Sequence, residues 1–150
     1  MKILTTSILS FALIILSCTG GGTESGTPVK LNEQQVDTRQ MSMATDFAAG
    51  MMSAWNDGNF EPLEPGVATK EMTEALSPEF QKHTYENDIE PMYGKFLQLV
   101  YMETYKLGNS NIYRFQGEFQ RGSTPEIRVV IDDKDRISGF WIKPWVKELR

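Results

Sequence analysis

The chain has 150 residues, a formal net charge of −5, one Cys and one His. Its 40% apolar content suffices for one modest core and not for two, one Cys excludes an internal disulfide, and one His excludes a multi-histidine metal centre. The acidic balance argues against nucleic acid as a partner, because phosphate binding depends on clustered Lys and Arg.

Met1-Lys2 is a minimal positive start, followed by an apolar stretch from Ile8 to Leu16 broken only by Ser10. Such a stretch is too short to span a bilayer as a helix and reads as a signal peptide over residues 1–17. Ile15-Leu16-Ser17-Cys18 is similar to the lipobox of bacterial lipoproteins. The resemblance implies that Cys18 becomes the new N-terminus, carries a diacylglyceryl group on sulfur, and holds the protein to a lipid bilayer. Each buried methylene contributes about 0.8 kcal/mol, so two or three acyl chains anchor almost permanently. Thr19-Gly20-Gly21-Gly22-Thr23-Glu24-Ser25-Gly26-Thr27-Pro28 has no apolar residue, so residues 18–37 are expected to form a flexible tether ahead of a domain at 38–150. Thr19 after the Cys, rather than Asp, resembles lipoproteins sent to an outer membrane, where the domain would face the periplasm.

From Asp37 the pattern is helical. Ala44, Phe47, Ala48, Met51, Met52 and Trp55 form one apolar stripe, Asp37 or Thr38 can cap its start, and Asn56-Asp57-Gly58 supplies a left-handed stop. A second short helix is expected from about Thr69 to Leu76. Ser77-Pro78-Glu79 opens a third, with Phe80, Tyr85, Ile89, Met92 and Tyr93 as its buried positions, a kink at Pro91 and an end at Gly94. The lone His83 sits in a polar run and is expected to face solvent.

After Gly94 the period changes to two. Leu97, Leu99, Tyr101, Glu103, Tyr105 and Leu107 are expected on one face of a strand. Tyr113, Phe115, Gly117 and Phe119 alternate with polar residues in a second, and Ile127, Val129 and Ile131 mark a third. Asp132 to Arg136 forms a hairpin loop whose acids lack the glycine and distal glutamate of a calcium loop, and Ile137 to Lys143 is the fourth strand. The register of this last hairpin stays open. A three-residue loop places Ile137, Gly139 and Trp141 beside Ile127, Val129 and Ile131; a four-residue loop places Ser138, Phe140 and Ile142 there. Helices followed by a four-stranded antiparallel meander make an α+β domain.

Trp55-Asn56-Asp57-Gly58-Asn59-Phe60, Leu76-Ser77-Pro78-Glu79-Phe80, Tyr93-Gly94-Lys95-Phe96 and Ile137-Ser138-Gly139-Phe140-Trp141-Ile142-Lys143-Pro144 together resemble a domain of unknown function in the nuclear-transport-factor-two-like superfamily. The resemblance covers roughly residues 40 to 145 and implies a curved sheet wrapped around the helices, a cone of the nuclear-transport-factor-two-like or cystatin-like kind. Such domains stand alone in secreted or lipid-anchored proteins or precede a hydrolase. The superfamily holds isomerases, dehydratases and non-catalytic binding modules, so the fold does not choose among them.

Glu103, in phase with Tyr101 and Tyr105, is the catalytic candidate, since an interior carboxylate near tyrosines can act as a general base. The other reading places Glu103 at the rim, or turned to solvent by a bulge. Trp55, Tyr85, Tyr101, Phe115 and Phe119 are candidates to line a pocket for a small apolar ligand; the plainer view is that they fill the interior themselves. The sequence carries no phosphate loop, nucleophile elbow or Cys-x-x-Cys pair, and no cofactor is expected. A lipid-anchored binding or protein-interaction module is the leading expectation, with a homodimer through the sheet, an envelope protein or an apolar ligand as its partner. The alternatives are an isomerase or dehydratase using Glu103, and an accessory partner of a separate envelope hydrolase.

Overall fold

A computed structural model describes residues 26–149; the signal peptide, Cys18 and the first part of the tether lie outside the described residues. Helix α1 (Thr38–Asn56) starts where the Asp37 carboxylate accepts a hydrogen bond from the Gln40 amide at 3.0 Å, so Asp37 is the cap and Thr38 the first helical residue. The helix ends ahead of Gly58, whose φ of 72° a side chain would resist. Ala44, Ala48, Met51, Met52 and Trp55 are buried as the stripe requires, and Phe47 is partly buried against the same core. Helix α2 (Lys70–Ala75) is capped by Thr69, and α3 (Pro78–Thr84) by Ser77 with Pro78 in its first turn.

Pro91 has no amide hydrogen to give a regular helix. The backbone accommodates it with a wide turn, Tyr85–Ile89, in which the Glu90 amide reaches back to the Tyr85 carbonyl before α4 (Glu90–Tyr93) ends at Gly94. A wide turn holds one extra residue and rotates the succeeding positions by about 100°. Tyr85 and Ile89 therefore stay buried while Met92, expected beside them, is 49% exposed.

The sheet has five strands in the order β1 (Val29–Lys30), β2 (Phe96–Leu107), β3 (Ser110–Phe119), β4 (Glu126–Ile131) and β5 (Ile137–Lys143), all neighbours antiparallel. The α+β class and the meander follow the sequence reading; the strand count does not. Val29 and Lys30, expected in the tether, pair with Lys106 and Tyr105, and two residues are too few to carry an alternation.

Tyr113, Phe115, Phe119, Ile127, Val129 and Ile131 point from β3 and β4 toward α1 and are at most 3% exposed. Phe140 of β5 meets Phe47 and Trp55 of α1 edge-on, with ring centroids 5.5 and 6.3 Å apart. The last hairpin adopts neither simple register. Ile137 pairs with Ile131, an extra residue intervenes at Ser138, and Phe140 and Ile142 then pair with Val129 and Ile127. The bulge turns Ile137, Phe140 and Ile142 inward together, which no unbroken alternation can do.

Strand β2 contains two more bulges, at Leu97 and Met102. The second one divides the face expected for this strand. Leu99 and Tyr101 pair with Gly117 and Phe115 and look toward α1; beyond Met102, Glu103 pairs with Arg114 and Tyr105 with Ile112, and both look the other way.

Candidate functional site

Of the five pocket candidates, Trp55, Tyr85, Phe115 and Phe119 are at most 4% exposed, whereas Tyr101 is 39% exposed. These rings touch neighbours rather than surround a space: Trp55 meets Tyr85 at 6.2 Å, Tyr101 meets Phe115 at 6.0 Å, and Phe119 lies between Tyr93 and Phe96 at 5.4 and 5.6 Å. The polar atoms of Trp55 and Tyr85 are paired as well. The Trp55 Nε1 donates to Gln81 at 2.9 Å, and the Tyr85 hydroxyl donates to Asn56 at 3.2 Å. Burial first and the Asp37 charge second push the Tyr113 phenol well above its ordinary range. A groove of about 580 Å³ lies elsewhere, between Met43, Asp46 and Phe47 of α1 and the loop Pro65–Val67, and includes none of the five.

The three members of the catalytic candidate are not brought together. Tyr101 hydrogen-bonds Thr104 at 2.8 Å on the helix-facing side, while Glu103 and Tyr105 stand on the outer face. Glu103 is not loose there: one carboxylate oxygen pairs with Arg114 and the other with Lys30. His83 is exposed and shares its ring nitrogen and carbonyl with Asn87. Asp132 is used to build the hairpin turn, accepting from the Lys134 and Arg136 amides at 2.9 Å and from the Arg136 guanidinium at 2.7 Å. Among the described residues no group of three or more His, Cys, Asp or Glu side chains is placed to hold a metal ion.

The sequence reading did not find the charge network on the outer face. Arg114 of β3 and Glu126 of β4 are both fully buried and meet through two parallel hydrogen bonds, Nε to Oε1 at 2.9 Å and Nη2 to Oε2 at 2.8 Å. Arg114 also bonds Glu103 and the Val146 carbonyl, and the Trp145 ring stacks over its guanidinium at 4.3 Å, with Tyr105 at 5.9 Å. Arg114 and Arg128 are direct cross-strand partners, a juxtaposition of like charges that ordinarily destabilises. Glu126 resolves it by accepting from both, the Arg128 Nε at 2.7 Å. The residues after β5, starting at Pro144, thus close over the outer face at Arg114 instead of trailing away.

Burial by itself would raise the Glu126 carboxyl, but hydrogen bonds from Arg114 and Arg128 outweigh it and hold the group below the ordinary carboxylate range. The folded state therefore binds a proton less readily than the unfolded chain. The stabilisation is complete above the unfolded value of about 4.3 and is lost as pH falls through the lower folded value. Denaturation midpoints measured from pH 7 to pH 3 are expected to fall steeply below about pH 4 in the parent protein and less steeply in Glu126→Gln, which is already weakened at neutral pH. Equal slopes in both would remove Glu126 as a source of acid sensitivity.

Gly139 belongs to the same face. A Cβ there would lie 2.2 Å from the Trp141 ring, so the indole rests directly on the glycine and leans along β5 away from Lys143. Four of the large exposed apolar side chains, Leu97, Val100, Tyr101 and Met102, cluster on β2 beyond the last residue that β1 pairs with. No family model, curated protein or solved structure matches the chain in comparison.

Proposed function

We propose that the protein is a bacterial envelope lipoprotein, anchored through acylated Cys18, whose α+β domain is a non-catalytic binding or protein-interaction module of the nuclear-transport-factor-two-like kind. The observation that carries the anchor is Ile15-Leu16-Ser17-Cys18 at the end of a short apolar stretch, followed by a Gly- and Thr-rich tether. The folded part follows at once, with Val29–Lys30 already in the sheet and Asn32 capping the turn Glu33–Gln35. No helix of the described residues is long and apolar enough to cross a membrane, so attachment in this reading rests on lipid alone.

Two placements support a binding role over chemistry. The interior is occupied by touching aromatic rings, and the one carboxylate considered as a base is held between Arg114 and Lys30 on the opposite face. The end of β2 that no strand of the described residues pairs on its outer edge, with Leu97, Val100, Tyr101 and Met102 exposed, offers main-chain groups and apolar side chains to a protein partner in the envelope.

Intact-mass measurement of protein purified from a bacterial membrane fraction tests the anchor. The expected species begins at Cys18 and carries a diacylglyceryl thioether, and Cys18→Ser releases the protein into the soluble fraction. An unmodified Cys18 in the membrane-derived protein, or a Cys18→Ser variant that stays bound, overturns the anchor.

A further inference from the structure

We propose that the outer face of the sheet binds a small oxyanion, a phosphate or carboxylate group, between Arg128 and Lys143. The site adds to the tethered-module reading and does not depend on the anchor. Its basis is the order of charges across the strands. Lys30 pairs with Glu103, Glu103 with Arg114, Arg114 with Glu126, and Glu126 with Arg128, so the signs alternate from β1 to β4. At Arg128 the alternation stops. Its Nη2 is buried and has no hydrogen-bond partner among the described residues, and the side chain as a whole is 14% exposed.

The next charge is again positive. Lys143 of β5 is the cross-strand partner of Glu126 and stands one diagonal step from Arg128 on the same face. It is half-buried, and neither a hydrogen bond nor an ion pair engages it among the described residues. Burial first, and then repulsion from Arg128 and Arg114, lower its pKa, with Glu126 alone opposing. Glu126 cannot serve Lys143 fully, since Oε1 already accepts from Arg114 and Arg128 and Oε2 from Arg114. Four cations thus face two carboxylates in a protein whose net charge is −5.

One oxyanion supplies what both ends lack. One oxygen accepts from the Arg128 Nη2 and a second from the Lys143 ammonium, which continues the alternation to β5. The Trp141 ring, resting on Gly139, leans away from Lys143 and leaves that side of the row to the ligand. The Arg128 Nη2 has almost no accessible surface as it stands, so the ligand in this proposal is a group of a few atoms taken in by a small shift of side chains rather than a broad acidic surface.

The test uses the full chain in a neutral detergent, with inorganic phosphate and acetate as separate probes and sodium chloride at matched ionic strength as the control. NMR shifts of the Arg128 Nε–H and of the Lys143 side chain are followed together with the melting temperature. The expected result is a saturable response to phosphate, acetate or both, beyond that of chloride, weakened about tenfold or more in Lys143→Gln and in Arg128→Lys, which keeps its charge but loses the fork. A response that is linear and matched by chloride overturns the site. So does an undiminished affinity in a folded Lys143→Gln. The parent titration against chloride decides the matter even if a variant fails to fold.

Discussion

Arg114→Met is expected to lower the unfolding free energy by about 3–5 kcal/mol, the range for removing one partner of a buried ion pair. The guanidinium is fully buried and answers two carboxylates and a carbonyl, so its loss leaves Glu126 buried with only Arg128, and Glu103 with only the exposed Lys30. Trp145 also loses the plane on which it stacks, and the residues beyond Pro144 should loosen. Urea unfolding at neutral pH checks the magnitude. Adding Glu126→Gln to Arg114→Met should recover only part of the loss, because Glu126 still pairs with Arg128 in the single variant and Arg128 is left without a carboxylate in the double. A single-variant loss below about 1 kcal/mol, the range of exposed pairs, would mean that the network is open to water in solution.

Trp55→Ala should be comparably damaging, at about 3–5 kcal/mol and a melting temperature lower by on the order of 10–20 °C. Trp55 is 1% exposed and joins α1 to Tyr85 and to Phe140 of β5, so truncation opens a void where helix, wide turn and sheet meet. It also strips Gln81 of the donor to its Oε1, while its Nε2 still donates to the Glu61 and Leu76 carbonyls at 2.7 Å. Trp55→Phe retains part of the ring but not the N–H, and should fall between parent and Trp55→Ala in a thermal melt. If Phe and Ala are equally destabilising, the hydrogen bond rather than the packing dominates at this position.

The elements most legible in the sequence were those with an uninterrupted period. Helix α1, with six apolar positions in phase and an acidic cap, and β3, with alternating aromatics, appear where the spacing places them. The misreadings of phase share one cause. At Leu97, Met102 and Ser138 an extra residue breaks the alternation without a composition signal, and at Tyr85–Ile89 an extra residue breaks the helical period, where Pro91 marks a kink but not its form. Counting by twos through Met102 put Glu103 on the face of Tyr101, and the catalytic candidate followed from that count.

The outer-face network was hidden for a different reason. Arg114 occupies the polar half of an alternating strand, the position that ordinarily meets water. Its burial depends on Glu126 twelve positions later and on Trp145 beyond the last strand. The signal that could have found it is the pair of opposite charges Arg114 and Glu126 on neighbouring strands, with a Trp downstream of Lys143 to close over them, and it becomes readable only once the β3–β4 register is known.

The extra codon at Met102 lets Tyr101 and Glu103, two positions apart, stand on opposite faces of the sheet. Deleting Met102 would make Tyr101 and Glu103 consecutive, opposite Phe115 and Arg114, which are consecutive in β3, so the ladder would become regular and Glu103 would keep its place beside Arg114. In a strand without the bulge the partner of Arg114 would stand one residue after Tyr101 rather than two, and an acid two residues after that tyrosine would be an interior group instead of the centre of an ion-pair row.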